Sequence, residues 1–153
     1  MPQFQGFDHI DTRVRSIKAV EPFYDRLMPE LGLSKKTYSY VDSKGDWHSS
    51  TAAGTYNTVE YLEEPSSGNA AFFIGFIEDP AMVPTGTRIA FRVSSLQRWM
   101  SLLKEIGAAN IELSESMEEY SAIFFEDPAG TKLELTTPQV KKSAIEYLTG
   151  EQI

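Results

Sequence analysis

The sequence contains an internal repeat, with two similar segments that lie 79 residues apart. Residues 8–17 read DHIDTRVRSI and residues 87–96 read TRIAFRVSSL, so four of the ten aligned positions are identical. Each copy continues into a segment whose apolar residues recur at helical spacing and which stops at a glycine, Gly32 in the first copy and Gly107 in the second. The repeat predicts a chain built from two similar structural modules.

Each module is predicted to have the element order β-α-β-β-β. A short alternating strand opens it, an amphipathic helix follows, and three β-rich runs complete it. Pro22 fits best in a first helical turn, so the first helix is predicted to begin near Glu21, whereas Ser94 or Ser95 is expected to cap the second. The β-rich runs are residues 35–41, 55–62 and 70–77 in the first module and 110–113, 121–126 and 131–135 in the second.

Side chains alternate along a strand, so each opening strand has one apolar face and one polar face. The apolar faces, which begin with Ile10 and Ile89, are expected to cover the helices. If the two sheets curve around a shared concavity, the polar faces line it. The candidates for that lining are His9, Asp11, Arg13, Arg88, Arg92 and Glu134.

Composition excludes several classes of function. The length of 153 residues favours one compact domain. The net charge of -8 has the wrong sign for nonspecific binding to nucleic acid. The longest apolar run is too short for a membrane helix, and no signal peptide is recognisable, so we expect no membrane partner. The absence of cysteine excludes disulfides and thiolate metal sites and fits a cytoplasmic protein.

Four segments of the sequence resemble a known family. They are the opening FDHIDTRV, the adjacent aromatic residues Phe23 and Tyr24 of the first helix, the second opening IAFRV, and the closing run FFEDPAGTKLEL at residues 124–135. Together they resemble the vicinal oxygen chelate superfamily, which includes glyoxalases, bleomycin-resistance proteins and extradiol dioxygenases. Because that fold carries lyases, isomerases, dioxygenases and metal-free drug-binding proteins, the resemblance specifies the fold and leaves the function to the site.

The resemblance implies an α+β fold in which two β-α-β-β-β modules form a half-open barrel around a central cleft. The single domain would span residues 7–137, with modules at 7–78 and 86–137, and residues 138–153 would form a C-terminal helix or tail. Members of the superfamily often build the cleft from one or two chains, so a homodimer is expected.

The resemblance also implies where a metal ion would bind. Metal-dependent members take a histidine from the first strand and a glutamate from the eighth, which correspond to His9 and Glu134. The fifth-strand ligand corresponds to Arg88, whose guanidinium stays protonated and cannot coordinate. The fourth-strand position corresponds to Ile74, and Glu60 is the fallback if the strands are assigned differently.

The expected metal site is therefore incomplete. Either a divalent ion such as Zn, Ni, Fe or Mn is held by His9 and Glu134 with further ligands, or no ion occupies a conventional four-ligand centre, which we favour. Arg88 beside Glu134 would then form a charge-assisted pair in the space of the metal. The plainer alternative is that Glu134 is a solvated strand residue and His9 a hydrogen-bonded histidine in the sheet.

Other residues have two interpretations each. Arg13 and Arg92 either bind a carboxylate or phosphate of a ligand or pair with Asp11 and neighbouring acids. Trp47 either covers the mouth of a cleft or packs on the sheet within a turn-like segment that also carries His48. The residues expected to contact a ligand are Arg88, Arg92, Arg13, Trp47 and Ile74.

Three functions are compatible with these residues. The first is an enzyme of the superfamily, lyase- or isomerase-like, that acts on a small oxygenated substrate through His9 and Glu134. The second is a metal-free protein that sequesters a small molecule, as bleomycin-resistance proteins do. The third is metal-free catalysis with His9 as the acid or base and Arg88 as a clamp for an anionic substrate.

Overall fold

A computed structural model describes residues 6–50, 55–64, 71–115, 117 and 120–137, and the predicted C-terminal segment 138–153 lies outside these residues. The chain divides into two compact units between Thr85 and Gly86. In the first unit the elements are β1 (His9–Val14), α1 (Ile17–Glu30), β2 (Lys35–Val41), β3 (Trp47–Ser49), β4 (Thr58–Leu62) and β5 (Phe73–Glu78). In the second unit they are β6 (Arg88–Arg92), α2 (Trp99–Glu105), β7 (Ala109–Leu113), β8 (Ala122–Glu126) and β9 (Lys132–Thr136).

Each unit contains one mixed sheet. The first has the order β1-β5-β4-β2-β3 and the second the order β6-β9-β8-β7. In each sheet the opening strand pairs in parallel with the last strand of its unit, and the other pairs are antiparallel. When β3 is set aside, corresponding strands occupy corresponding positions, so the predicted α+β class with two β-α-β-β-β modules is confirmed.

The first sheet packs one face against α1. The helical stripe predicted from the sequence is buried, and its members Val20, Phe23, Tyr24 and Leu27 have at most 2% of their surface exposed. The ring of Tyr24 stacks on Phe76 of β5 with centroids 3.7 Å apart. Burial of each such side chain stabilises the fold by about 1.5–3 kcal/mol, so this stripe positions α1 on the sheet.

A partly buried polar network also ties α1 to the first sheet. Nζ of Lys36 on β2 lies 2.5 Å from Oε1 of Glu21 and 2.7 Å from Oδ1 of Asp25, both on α1. Tyr61 of β4 donates a hydrogen bond to Asp25 at 2.8 Å, and Tyr56 donates one to Glu21 at 2.7 Å. The network satisfies two helix carboxylates next to the apolar core.

The predicted start of α1 near Glu21 is wrong. The helix begins at Ile17, four residues earlier, and includes Pro22 in its interior. Ser16 makes no capping side-chain bond, and the backbone N–H of Ile17 instead donates to Oε2 of Glu78 at 2.8 Å. A proline in a helix interior destabilises the helix by about 3 kcal/mol, which is why the sequence predicted a later start. Tertiary packing and the bond from Ile17 to Glu78 offset this loss.

In the second unit α2 has seven residues, and its side chains Trp99 and Leu103 are buried. The expected serine cap is also wrong. The hydroxyl of Ser95 accepts a hydrogen bond from the backbone of Gln97, one turn before the helix, and the capping position is held by Arg98 without a side-chain bond.

The helices among the described residues lack the length and the apolar character of a membrane-spanning segment.

Candidate functional site

The polar face of β1 carries His9, as the alternation predicts. His9, Asp11 and Arg13 are exposed, whereas Val14 is fully buried on the opposite face. Strand register places Phe73, Gly75 and Ile77 of β5 beside these three residues, in that order. The next strand, β4, adds Glu60, which faces Gly75.

His9 lies between two carboxylates. Its Nδ1 is 2.7 Å from Oδ2 of Asp8, its Nε2 is 3.8 Å from Oδ2 of Asp11, and its ring stacks on Phe73 at 4.6 Å. The hydrogen bond to Asp8 raises the pKa of His9 above its usual value, and the charges of Asp11 and Glu60 add to this. The neighbouring carboxylates thus stabilise the protonated imidazole, which can act as a proton donor.

Glu60, the alternative metal ligand predicted from the sequence, lies on the same face as His9. Its Oε2 accepts hydrogen bonds from Thr37 at 2.8 Å and Ser39 at 3.3 Å, so its carboxylate is held towards β2. Asp11 and Glu60 flank Gly75, which places no side chain between them. We call His9, Asp11 and Glu60 the first-sheet cluster.

Ile74 does not belong to this face. It is fully buried, and its strand partners are Ile10 and Tyr61, so it contributes to the core under α1. The register assigned to residue 74 is therefore wrong, and Phe73 and Gly75 occupy the face of His9 instead. The run AAFFIGFI is apolar throughout and gives no alternation from which the register could be read.

Glu134 is a buried carboxylate on the polar face of the second sheet. Only 5% of its surface is exposed. The hydroxyl of Tyr120 donates a hydrogen bond to its Oε1, and Nη1 of Arg88 lies 3.9 Å from its Oε2. The pair of Arg88 and Glu134 that the sequence indicated is present as an ion pair, at a separation longer than a hydrogen bond.

Tyr120 was not identified from the sequence. It lies just before β8, and the alternation of that strand places it on the face of Glu134, which is the signal that could have found it. The hydrogen bond to Glu134 raises the pKa of Tyr120, so the phenol remains a donor at neutral pH. Tyr120 and Arg88 together satisfy a carboxylate that would otherwise be buried at a cost.

The guanidinium of Arg88 has unused hydrogen-bonding capacity. It lies over the ring of Phe124, with its central carbon 4.5 Å from the ring centroid, and 44% of the side chain is exposed. It forms no hydrogen bond with any residue in the part of the chain that the structure describes. A guanidinium has five N–H donors in a planar fork, so Arg88 can bind an oxyanion through two of them.

Arg88 lies at one end of a groove of about 260 Å³ on the second sheet. Both signs of charge occur along it. The residues that line this second-sheet groove are Arg88, Asn110, Glu112, Phe124, Phe125, Glu126 and Lys132.

The residues do not fit the metal ion that the resemblance implies. Glu134 already faces a fixed cation and accepts a hydrogen bond from Tyr120, and Arg88 cannot become a ligand. In the first-sheet cluster, Oε2 of Glu60 accepts two hydroxyl hydrogen bonds, and Nδ1 of His9 is bonded to Asp8. Within the ranges that the structure covers, no three histidine, aspartate or glutamate side chains converge in a way that could hold a metal ion.

The remaining predicted residues lie at exposed positions. Arg13 and Arg92 are on the polar faces of β1 and β6, and neither forms an ion pair with a described carboxylate. Trp47 is 47% exposed on β3, a short strand where the sequence suggested a turn. On the same strand Nε2 of His48 lies 2.9 Å from Oδ2 of Asp42, and this contact, together with backbone N–H donors, lowers the pKa of Asp42.

Comparison with known proteins gives similarity of structure alone. No protein-family model and no curated protein matches the sequence. A mutant of the fosfomycin resistance protein FosX from Listeria monocytogenes, in complex with Mn(II) and 1S,2S-dihydroxypropylphosphonic acid, matches with a TM-score of 0.60 and 18% identity, covering 95% of this chain and 99% of that one. A glyoxalase/bleomycin resistance protein from Albidiferax ferrireducens T118 matches with a TM-score of 0.57 and 17% identity, covering 87% and 98%.

A third match is the glyoxalase family protein from Enterococcus faecalis, with a TM-score of 0.56 and 15% identity over 87% of this chain and 98% of that one. At these identities the similarity establishes the fold. The chain has the glyoxalase-type fold of these structures, as the sequence resemblance implied.

Proposed function

We propose that this protein binds a small, oxygen-rich anion in the second-sheet groove and that Arg88, rather than a metal ion, supplies the positive charge. The observation that carries the proposal is the state of the Arg88 guanidinium. It is held over Phe124 and next to Glu134, yet it donates no hydrogen bond to a described residue. A preorganised guanidinium that keeps N–H donors available in a groove can bind a carboxylate or phosphonate.

Several features support this choice of ligand. Lys132 is the strand partner of Arg88, so the two cations lie side by side at one end of the groove. The FosX structure from Listeria monocytogenes contains a dihydroxypropylphosphonic acid together with Mn(II). In the present chain a guanidinium would meet such an oxyanion directly, because Glu134 is already engaged by Tyr120 and Arg88.

The test is a titration of the full chain with propylphosphonate, by calorimetry, in buffer containing a metal chelator. We expect saturable binding that persists in the chelator and that Arg88→Gln weakens about 30-fold, since a charge-assisted hydrogen bond contributes about 2 kcal/mol. Arg92→Gln is the matched control, four residues from Arg88 on the same face of β6, and should bind within a factor of two of the parent protein. Binding that requires added Mn(II) or Zn(II), or that survives Arg88→Gln, contradicts the proposal.

A second candidate function is proton transfer at a carbon next to a carbonyl, as a lyase or isomerase would catalyse. The carboxylates around the His9 ring favour it, because they stabilise the protonated imidazole that would act as the acid. Its test is exchange of the carbon-bound protons of dihydroxyacetone in D2O, followed by proton NMR. Exchange above the buffer rate that disappears in His9→Gln supports this function, and exchange at the buffer rate rejects it for this substrate class.

A further inference from the structure

We infer that the ligand of the second-sheet groove is a small zwitterion, with its acidic group on Arg88 and Lys132 and its ammonium group on Glu126 and Glu112. The inference rests on the proposed function of the same groove and adds the class of ligand. It follows from how the charges are ordered across the sheet and from which of them lack partners.

The charges change sign across the groove. Strand register places Arg88 of β6 next to Lys132 of β9, and Lys132 next to Glu126 of β8. Glu112, on the edge strand β7, is the partner of Phe124. Since adjacent strands are about 4.8 Å apart, two cations occupy one side of the groove and two carboxylates the other, within the span of a molecule of a few carbon atoms.

These charges do not form ion pairs with one another. Lys132 and Glu126 are strand partners, but Lys132 has no carboxylate of the described chain within 4.0 Å. Glu112 likewise has no lysine or arginine of the described chain within that distance. One oxygen of Glu126 accepts a hydrogen bond from Asn110 at 2.9 Å, which orients the carboxylate and leaves its other oxygen available. Opposite charges that face a groove side by side without pairing are arranged for a ligand that carries both.

The size and the floor of the groove narrow the class further. Its volume of about 260 Å³ is smaller than the cavities that hold drug-sized ligands, so it suits a smaller molecule. Phe124 and Phe125 line the groove and add apolar surface, against which a short methylene chain can pack. An anion without an ammonium group contacts the cationic side alone and leaves Glu126 and Glu112 without a counter-charge, so we expect it to bind less tightly than a zwitterion.

The experiment compares 3-aminopropylphosphonate with propylphosphonate, which differ in the ammonium group, by calorimetric titration of the full chain at pH 7. We expect the amine to tighten binding at least fivefold. In Glu126→Gln the ratio of the two dissociation constants should fall to near one, with the affinity for propylphosphonate unchanged or improved. Glu115→Gln, an exposed acid outside the groove, is the matched control and should keep the parent ratio.

Each outcome separates this inference from the proposed function. If propylphosphonate binds through Arg88 and the amine adds nothing, the zwitterion inference is overturned and the proposed function stands. If neither compound binds, both are overturned. A preference for the amine that survives in Glu126→Gln and in a Glu112→Gln, Glu126→Gln double variant also overturns the inference, and circular dichroism of each variant establishes that it is folded.

Discussion

Asp11 and Gly75 are strand partners whose geometry depends on the missing side chain of the glycine. Oδ1 of Asp11 lies 2.6 Å from the position that a Cβ atom on residue 75 would occupy. This approach is closer than any side chain tolerates, so a glycine at this position is what allows the aspartate to lean across β5 towards Glu60. The glycine therefore shapes the first-sheet cluster without contributing an atom to its chemistry.

Gly75→Ala should displace Asp11 at little cost to stability, because a carboxylate at the end of a flexible side chain can swing aside. We expect a change in unfolding free energy within about 1 kcal/mol and a lower pKa for His9, which loses part of the nearby negative charge. Thermal unfolding and an NMR titration of His9 measure both. The control is Gly86→Ala, where an added Cβ meets no atom within 4 Å. An unchanged His9 titration would contradict this account.

The titration of His9 itself is the second prediction. Because the hydrogen bond to Asp8 is the largest cause of the raised pKa, Asp8→Asn should return the midpoint towards 6.5 more than Asp11→Asn does. The group is raised in the folded state, so its stabilising contribution is complete below pH 6.5 and is lost as the pH rises through the raised pKa. His48→Gln assigns the two histidine resonances. A larger effect from Asp11→Asn would show that Asp8 is not the main partner.

Lys36→Met should destabilise the first unit by about 2 kcal/mol, since it leaves Glu21 and Asp25 facing each other without a cation beside the core. The chain provides a control at the adjacent position. Lys35 pairs with Glu64 at 3.0 Å with both side chains largely exposed, so Lys35→Met should change stability by less than about 0.5 kcal/mol. Urea denaturation of the two variants checks the difference, and equal losses would contradict the role given to the network.

Tyr120→Phe should cost about 1.5 kcal/mol, because it removes the hydroxyl donor of the buried Glu134 carboxylate. The control is Tyr40→Phe, on an exposed tyrosine of β2, which should be nearly neutral. Urea denaturation again gives the comparison. If Tyr120→Phe proves neutral, Arg88 alone is sufficient to satisfy Glu134.

Periodic patterns in the sequence predicted the modules and the strand faces correctly. The repeat predicted two modules with the same strand order, and alternation placed His9 and Arg88 on polar faces, because each apolar neighbour along the strand must face a helix. The sequence did not predict features that lie in a uniformly apolar run or that depend on a residue far along the chain. Ile74 lies in a run without alternation, and the start of α1 depends on a carboxylate 61 residues away.

The cluster and the groove were harder to foresee than the faces that carry them. The relation of Asp11 to Glu60 needs the pairing of β1 with β5 and of β5 with β4, which no local pattern encodes. β3 was missed for a related reason, since a short polar strand at a sheet edge has neither the length nor the hydrophobicity that marks a strand.

The bond from the Ile17 amide to Glu78 has a consequence for how the protein is made. α1 acquires its cap, and β1 its parallel neighbour, from the same late segment, β5. While β5 is still inside the ribosome, the nascent chain holds a helix with an open end and a strand with no partner. The first module therefore cannot complete its sheet or cap α1 until β5 has emerged from the ribosome.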